Sequence, residues 1–334
     1  MRKAFLFLIL LLICSFQIAA QTNKPQDFGF RHLQTIYKQD RVDVLVLSKK
    51  GEEEKTKPLF LFIQGSLPKP LIILNENGRP YMVFPFHTDI LLDDYHRAII
   101  SKPYVPLILR ASELRKDMAY VDHKTGNFPE KYTKRDNLNY YANRNKTVIK
   151  YLKKQSWISN DEVVVAGHSE GAVVAAKLAD VSKDVTHLIF AGSNPLGRMT
   201  TIISQLRQRD DSIGTTTEKQ IKFWEEVVND PENNEVKGEI TYKSIYSYSI
   251  PPIDTLRKLK IPVLVAYGTK DIAAPFFDYM RVETIRNKRK NFKFMPYVGR
   301  EHNFFGFDEK GRVDYDNYGW DKVAMDWKAW LEKE

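Results

Sequence analysis

Cysteine is almost missing from these 334 residues: Cys14 is the only one, and it lies in a leader-like segment. Once that segment is removed, the chain has no thiol for a disulfide framework, a thiolate metal site or a cysteine nucleophile. Glycine and proline number 16 each, too few for a collagen-like or Pro/Gly-rich low-complexity chain. No internal repeat appears, and no linker rich in Gly, Ser or Pro follows the leader, so residues 21–334 are expected to form one domain. Phosphate-cradling loops of the Gly-x-Gly-x-x-Gly and Gly-x-x-x-x-Gly-Lys types are absent, as are clusters with metal-ligand spacing. Neither a cofactor nor a metal is therefore expected.

The first twenty residues, MRKAFLFLILLLICSFQIAA, place Arg2 and Lys3 before an apolar run and end in Ala19 and Ala20. This order is that of a secretory signal peptide, so export to a periplasm or the outside is expected. The run is short for a membrane anchor and lacks a basic stop-transfer cluster. Lipidation at Cys14 is the lesser alternative, because Ile13 stands where a lipoprotein signal favours a small side chain. Without Arg2 and Lys3 the chain keeps 49 Lys and Arg against 42 Asp and Glu, a net of +7. These charges are scattered as on a solvated face, so no nucleic-acid partner is expected, nor a membrane once the signal is gone. Oligomeric state stays open.

Short apolar runs at residues 42–47, 59–63, 97–100, 162–166, 185–190, 263–267 and 292–297 read as strands buried on both faces. Between them, residues 136–155 read as an amphipathic helix capped by Asp136, and residues 172–178 as a short Ala-rich helix. Trp320, Val323, Trp327 and Trp330 recur at helical spacing and mark a last helix that turns its tryptophans inward. This alternation predicts an α/β fold with a doubly wound, mostly parallel sheet. Two stretches interrupt it: residues 104–132, and a lid-like insertion at about 195–256. Phe223, Trp224, Tyr242, Tyr246 and Tyr248 of the insertion suit either a pocket lining or a local core. Lys69, Arg110 and Arg115 are read as solvated surface charge.

The run at 162–166 leads straight into Gly167-His168-Ser169-Glu170-Gly171 and then the Ala-rich helix. A Gly-x-Ser-x-Gly segment in this strand-turn-helix setting is a nucleophile elbow, whose glycines are required because side chains there would strike the neighbouring strand and helix. An ordinary Gly-rich turn is the bland alternative. The elbow predicts a carboxylate after a later strand and then a histidine. Asp271 follows the strand at 263–267, and His302 follows the strand at 292–297. Asp278 and Asp308 are simpler as surface or capping residues, His187 as structural, and His168 and Glu170 as contributors to packing, backbone position and pocket polarity.

The elbow at Ser169, the Gly-x-x-Asp loop at Asp271, the Glu-His-x-Phe segment at His302 and Phe62-Ile63-Gln64-Gly65-Ser66 together resemble the α/β-hydrolase family. Its esterase, dienelactone-hydrolase and prolyl-oligopeptidase-like members are the nearest in pattern, over residues 40–334. The resemblance implies a serine hydrolase acting on a small acyl substrate, with catalytic Ser169, Asp271 and His302. It also implies an oxyanion hole from the backbone N–H groups of Ser66, or alternatively Leu67, and Glu170. Gln64 stands where the family usually carries histidine. An ester or related acyl bond is the expected target. A short-peptide peptidase, an acyl transferase and a non-catalytic binding protein are the alternatives.

Overall fold

Strands that must be covered on both faces carry apolar side chains without alternation, and these runs build the centre of the sheet. The chain is described here by a computed structural model covering residues 23–81, 83–87, 89–210 and 215–334. The expected signal peptide, with Cys14, lies outside the described residues. Among those residues eight strands form one sheet: β1 (Phe30–Tyr37), β2 (Asp40–Leu47), β3 (Lys57–Ile63), β4 (His96–Ile100), β5 (Ile158–His168), β6 (His187–Ala191), β7 (Val263–Gly268) and β8 (Phe292–Tyr297). Their spatial order is β1-β2-β4-β3-β5-β6-β7-β8. The first two pairings are antiparallel and the rest parallel. The expected doubly wound, mostly parallel α/β sheet is the observed one.

The helices are α1 (Glu130–Arg135), α2 (Leu138–Leu152), α3 (Glu170–Val181), α4 (Arg198–Asp210), α5 (Thr215–Asn229), α6 (Tyr242–Ser249), α7 (Pro252–Leu256), α8 (Ala274–Arg286) and α9 (Trp320–Leu331). Successive strand residues point to opposite faces. Leu59, Leu61, Val163 and Val165 therefore enter a core shared with α2, α3, α7 and α8. Phe60, Phe62, Val164 and Ala166 enter the opposite core, closed by α9 with Trp320, Trp327 and Trp330. Each fully buried side chain of this size contributes about 1.5–3 kcal/mol relative to exposure.

Three local readings are corrected. The helix expected over 136–155 is α2, Leu138–Leu152, set off from the short α1 before it, and its cap is Asn137, whose side chain accepts from the Tyr140 N–H at 3.0 Å. Asp136 sits in the turn between them. Strand β5 begins at Ile158 rather than 162, because the polar residues 159–161 extend it beyond the apolar run. The edge strand β1 has no counterpart among the expected strands: it is half-exposed and mixes Arg31, His32 and Gln34 with Leu33 and Ile36. The stretch 195–256 carries α4 to α7, and Phe223, Trp224 and Tyr246 pack around its own small core of Met199, Val227, Tyr242 and Ile245.

Candidate active site

The parallel strands β3, β5, β6 and β7 end at one edge of the sheet, which brings the loops that follow them together. Ser169 is the hinge between β5 and α3, held at φ 56°, ψ −130°. A non-glycine residue pays for this left-handed backbone with strain, of order 1–3 kcal/mol, and such strain concentrates at functional sites. Its N–H donates to the Ala191 carbonyl at 3.0 Å, tying the elbow to the end of β6. The two glycines are sterically obligatory. A Cβ on Gly167 would lie 2.1 Å from the Gly171 carbonyl oxygen, and one on Gly171 2.1 Å from that of Ile63.

The Ser169 hydroxyl lies 3.1 Å from His302 Nε2, and His302 Nδ1 lies 2.8 Å from Asp271 Oδ2. Asp271 is almost wholly buried, and its other oxygen accepts the Ala273 N–H at 2.9 Å. Since a carboxylate can only accept here, Nδ1 carries the hydrogen and Nε2 is left free to accept from the serine. Burial pulls the pKa of His302 down, but the hydrogen bond and charge of Asp271, with Glu301 adding to them, outweigh it and leave the pKa above the ordinary histidine value. The structure thus assembles all three residues named from the sequence. Asp278 instead accepts from the Tyr267 hydroxyl at 2.7 Å, Asp308 closes a turn with Arg312, and His187 sits between Thr186 and Glu162.

His168 supports this arrangement from behind. Its Nε2 is 2.8 Å from the His302 carbonyl oxygen, an acceptor only, so the nitrogen must donate. Burial, and then the proximity of His302, pull its pKa down to about 3. The ring is therefore neutral and packs edge-on against Trp320 at 5.0 Å, clamping the backbone of the loop that carries His302.

Ser66 and Glu170 face Ser169 across the same cavity, of about 730 Å³, while Leu67 is not among its lining residues. The N–H of Glu170, the first residue of α3, has no intrahelical partner. Gln64 donates from its side-chain amide to the Ile100 carbonyl at 3.2 Å, fastening the loop after β3 to the end of β4. The Tyr132 hydroxyl donates to the Ser66 carbonyl at 2.8 Å. Burial, followed by the nearby Asp136, pushes the phenol's pKa well up, so it stays a donor.

The Glu170 side chain enters a buried polar cluster. One oxygen accepts from Arg198 at 2.6 Å and the other lies 3.6 Å from the Lys102 ammonium. Asp136 is also buried there, its carboxyl raised in pKa by burial and then by Glu170. Sequence reading passed over Tyr132, Asp136, Lys102 and Arg198 as site neighbours because no short spacing links them. Of the insertion's aromatics only Tyr248 lines the cavity, and none of residues 104–132 does.

No family model matches the chain, and no curated protein matches it. Solved structures do. The Est1E structure with ferulic acid bound, from Butyrivibrio proteoclasticus, superposes at a TM-score of 0.56 with 16% identity, covering 90% of this chain and all of that one. The uncomplexed acylaminoacyl peptidase of Pyrococcus horikoshii reaches a TM-score of 0.51 with 15% identity over 89% of this chain, which spans only 41% of the peptidase. Porphyromonas gingivalis dipeptidyl peptidase 4 reaches 0.50 at 8% identity, with 35% of its length covered. Sheet order, elbow and superposition together establish that this chain has the α/β-hydrolase fold.

Proposed function

We propose that the protein is a serine hydrolase that cleaves a carboxylic ester through an acyl-enzyme on Ser169. The observation that carries this reading is the continuous chain of contacts from Asp271 through His302 to the Ser169 hydroxyl. In the first half-reaction Ser169 Oγ attacks the carbonyl carbon and its proton passes to His302 Nε2. The tetrahedral oxyanion is held by the N–H groups of Ser66 and Glu170. Its collapse breaks the bond to the alcohol oxygen, which leaves with the proton from His302. Water then attacks the acyl-enzyme, gives its proton to His302, and restores Ser169 as the carboxylic acid departs. The match to Est1E, described with ferulic acid bound, at a TM-score of 0.56 supports the ester reading.

Treatment of the folded protein with a fluorophosphonate, followed by peptide mass mapping, is the direct test: one adduct is expected, on Ser169. A folded protein that takes no adduct, or takes it elsewhere, removes the reading.

Two further outcomes follow. Because His302 must be neutral to accept the serine proton, kcat/KM rises with pH through its pKa. The contact with Asp271 places that acid limb above the ordinary value of about 6.5. A pH-rate profile with its limb at or below that value contradicts the arrangement. Tyr132→Phe keeps the ring packed on Phe128 but frees the Ser66 carbonyl. Losing an oxyanion donor outright typically costs about 10²–10³ in rate, so loosening one should lower kcat by about tenfold. KM should change little, and a fall confined to KM would show that Tyr132 acts on substrate binding instead.

A further inference from the structure

The cavity beside Ser169 contains three carboxylates, each already paired with a group of the protein, although the Glu170 oxygen facing Lys102 has no hydrogen-bond donor. Asp271 is taken up by His302 and the Ala273 N–H. Glu301 accepts from the N–H groups of Asn303 and Phe305 at 2.7 and 3.0 Å. Glu170 is shared between Arg198 and Lys102. The cations are in the opposite condition. Arg198 lines the cavity, with its side chain 25% exposed, and spends only Nη2 on Glu170. Among the described residues its other guanidinium N–H groups have no acceptor. Lys270, exposed at the same cavity, has no side-chain partner among the described residues. The open charged groups that this pocket presents to a ligand are therefore donors, since the unpaired Glu170 oxygen is buried against Lys102.

The guanidinium is rigidly placed. Glu170 grips one edge and the Tyr248 ring lies under it, 5.0 Å from centroid to Cζ. A planar fork fixed on one side and open on the other matches a carboxylate far better than an aliphatic chain. Its position also selects the half of the ester it meets. The leaving alcohol oxygen must lie at His302 Nε2 to be protonated, and the carbonyl oxygen at the Glu170 N–H. Arg198 lines the same cavity and contacts the side chain of Glu170, the residue whose N–H receives the carbonyl oxygen, which assigns it to the acyl part.

We infer that the Ser169 pocket takes esters whose acyl group ends in a carboxylate, bound by the open edge of Arg198, with Lys270 at the mouth adding attraction for the anion. This rests on the ester-hydrolase reading above and narrows it to monoesters of short dicarboxylic acids. Buried Asp136, whose carboxyl is pushed toward its neutral form, does not compete effectively for Arg198.

The test compares kcat/KM for mono-p-nitrophenyl glutarate with that for p-nitrophenyl valerate, which has the same chain length without the charge. One charge-assisted contact is worth about tenfold or more, so wild type should prefer the glutarate ester by at least that factor. In Arg198→Gln the ratio should fall to near one, with Arg198→Lys between. A wild-type ratio near or below one, with valerate turnover intact, overturns the carboxylate subsite and leaves the Ser169 mechanism standing. Glutarate dianion alone, followed by thermal shift, is read without turnover: it should raise the Tm of wild type more than valerate does, and not that of Arg198→Gln. No glutarate shift in wild type overturns the inference even if neither ester is cleaved. Failure of both esters and of fluorophosphonate labelling falls instead on the ester-hydrolase reading.

Discussion

Ser169→Ala should lower kcat for any accepted ester by about 10⁶-fold, while Tm stays close to that of the parent. The size follows from the role: without Oγ no acyl-enzyme forms, and His302 and Asp271 have nothing to activate, so a unit of three residues fails together. What remains is oxyanion-hole and binding catalysis, about 10³–10⁴ over the uncatalysed rate. The fold should survive because the elbow is held by backbone contacts, Ser169 N–H to Ala191 and Ala172 N–H to the Ser169 carbonyl, both retained by alanine. Steady-state kinetics beside a thermal melt decide the matter. Residual turnover above about one per cent in a well-folded variant would put the nucleophile elsewhere, with Ser193 the other hydroxyl nearest in sequence among those lining the same cavity after the elbow.

Gly171→Ala should destroy the site by the opposite route. Its new methyl would sit 2.1 Å from the Ile63 carbonyl oxygen and 2.7 Å from that of Gln64, both backbone atoms that no rotamer change can move. Helix α3 must therefore retreat from the end of β3, which separates Ser169 and the Glu170 N–H from the loop bearing Ser66. Overpacking of this kind costs about 3 kcal/mol or more, which for a chain of this size lowers Tm by roughly 4–5 °C or more. Labelling of Ser169 should be lost with it. Gly65→Ala is the control for stability, because its Cβ would meet nothing closer than 3.7 Å. Equal melting temperatures for the two variants would mean that the close approach of α3 to β3 is not maintained in solution.

The parts of this molecule that could be read from the chain are those in which neighbours in sequence settle the structure. Strands β3, β5, β6 and β7 announce themselves because burial on both faces demands apolar residues at every position. The elbow does so because a turn that tight demands glycine on both sides of Ser169. Asp271 and His302 followed from the order in which loops leave successive parallel strands. By contrast β1, an edge strand with one wet face, has no apolar run to betray it, and Asn137 rather than Asp136 caps α2 because the choice depends on where the helix axis is anchored.

The surroundings of the site belong to tertiary structure. Arg198 meets Glu170 across 28 residues, His168 holds the His302 carbonyl across 134, and Tyr132 reaches Ser66 across 66. Each is a single polar contact between segments that the sheet brings to one edge, and nothing in local composition distinguishes the residue that makes it from a solvated neighbour. The layered α/β architecture and the order of Ser169, Asp271 and His302 after successive strands can be read from the chain, because both follow from periodicity, steric limits at glycine and chain connectivity. Which donors line the cavity beside Ser169 depends on how the insertion carrying α4 packs over the strand ends. Placement of a charged side chain there depends on distances in space between segments far apart in the chain, which spacing along the chain does not encode.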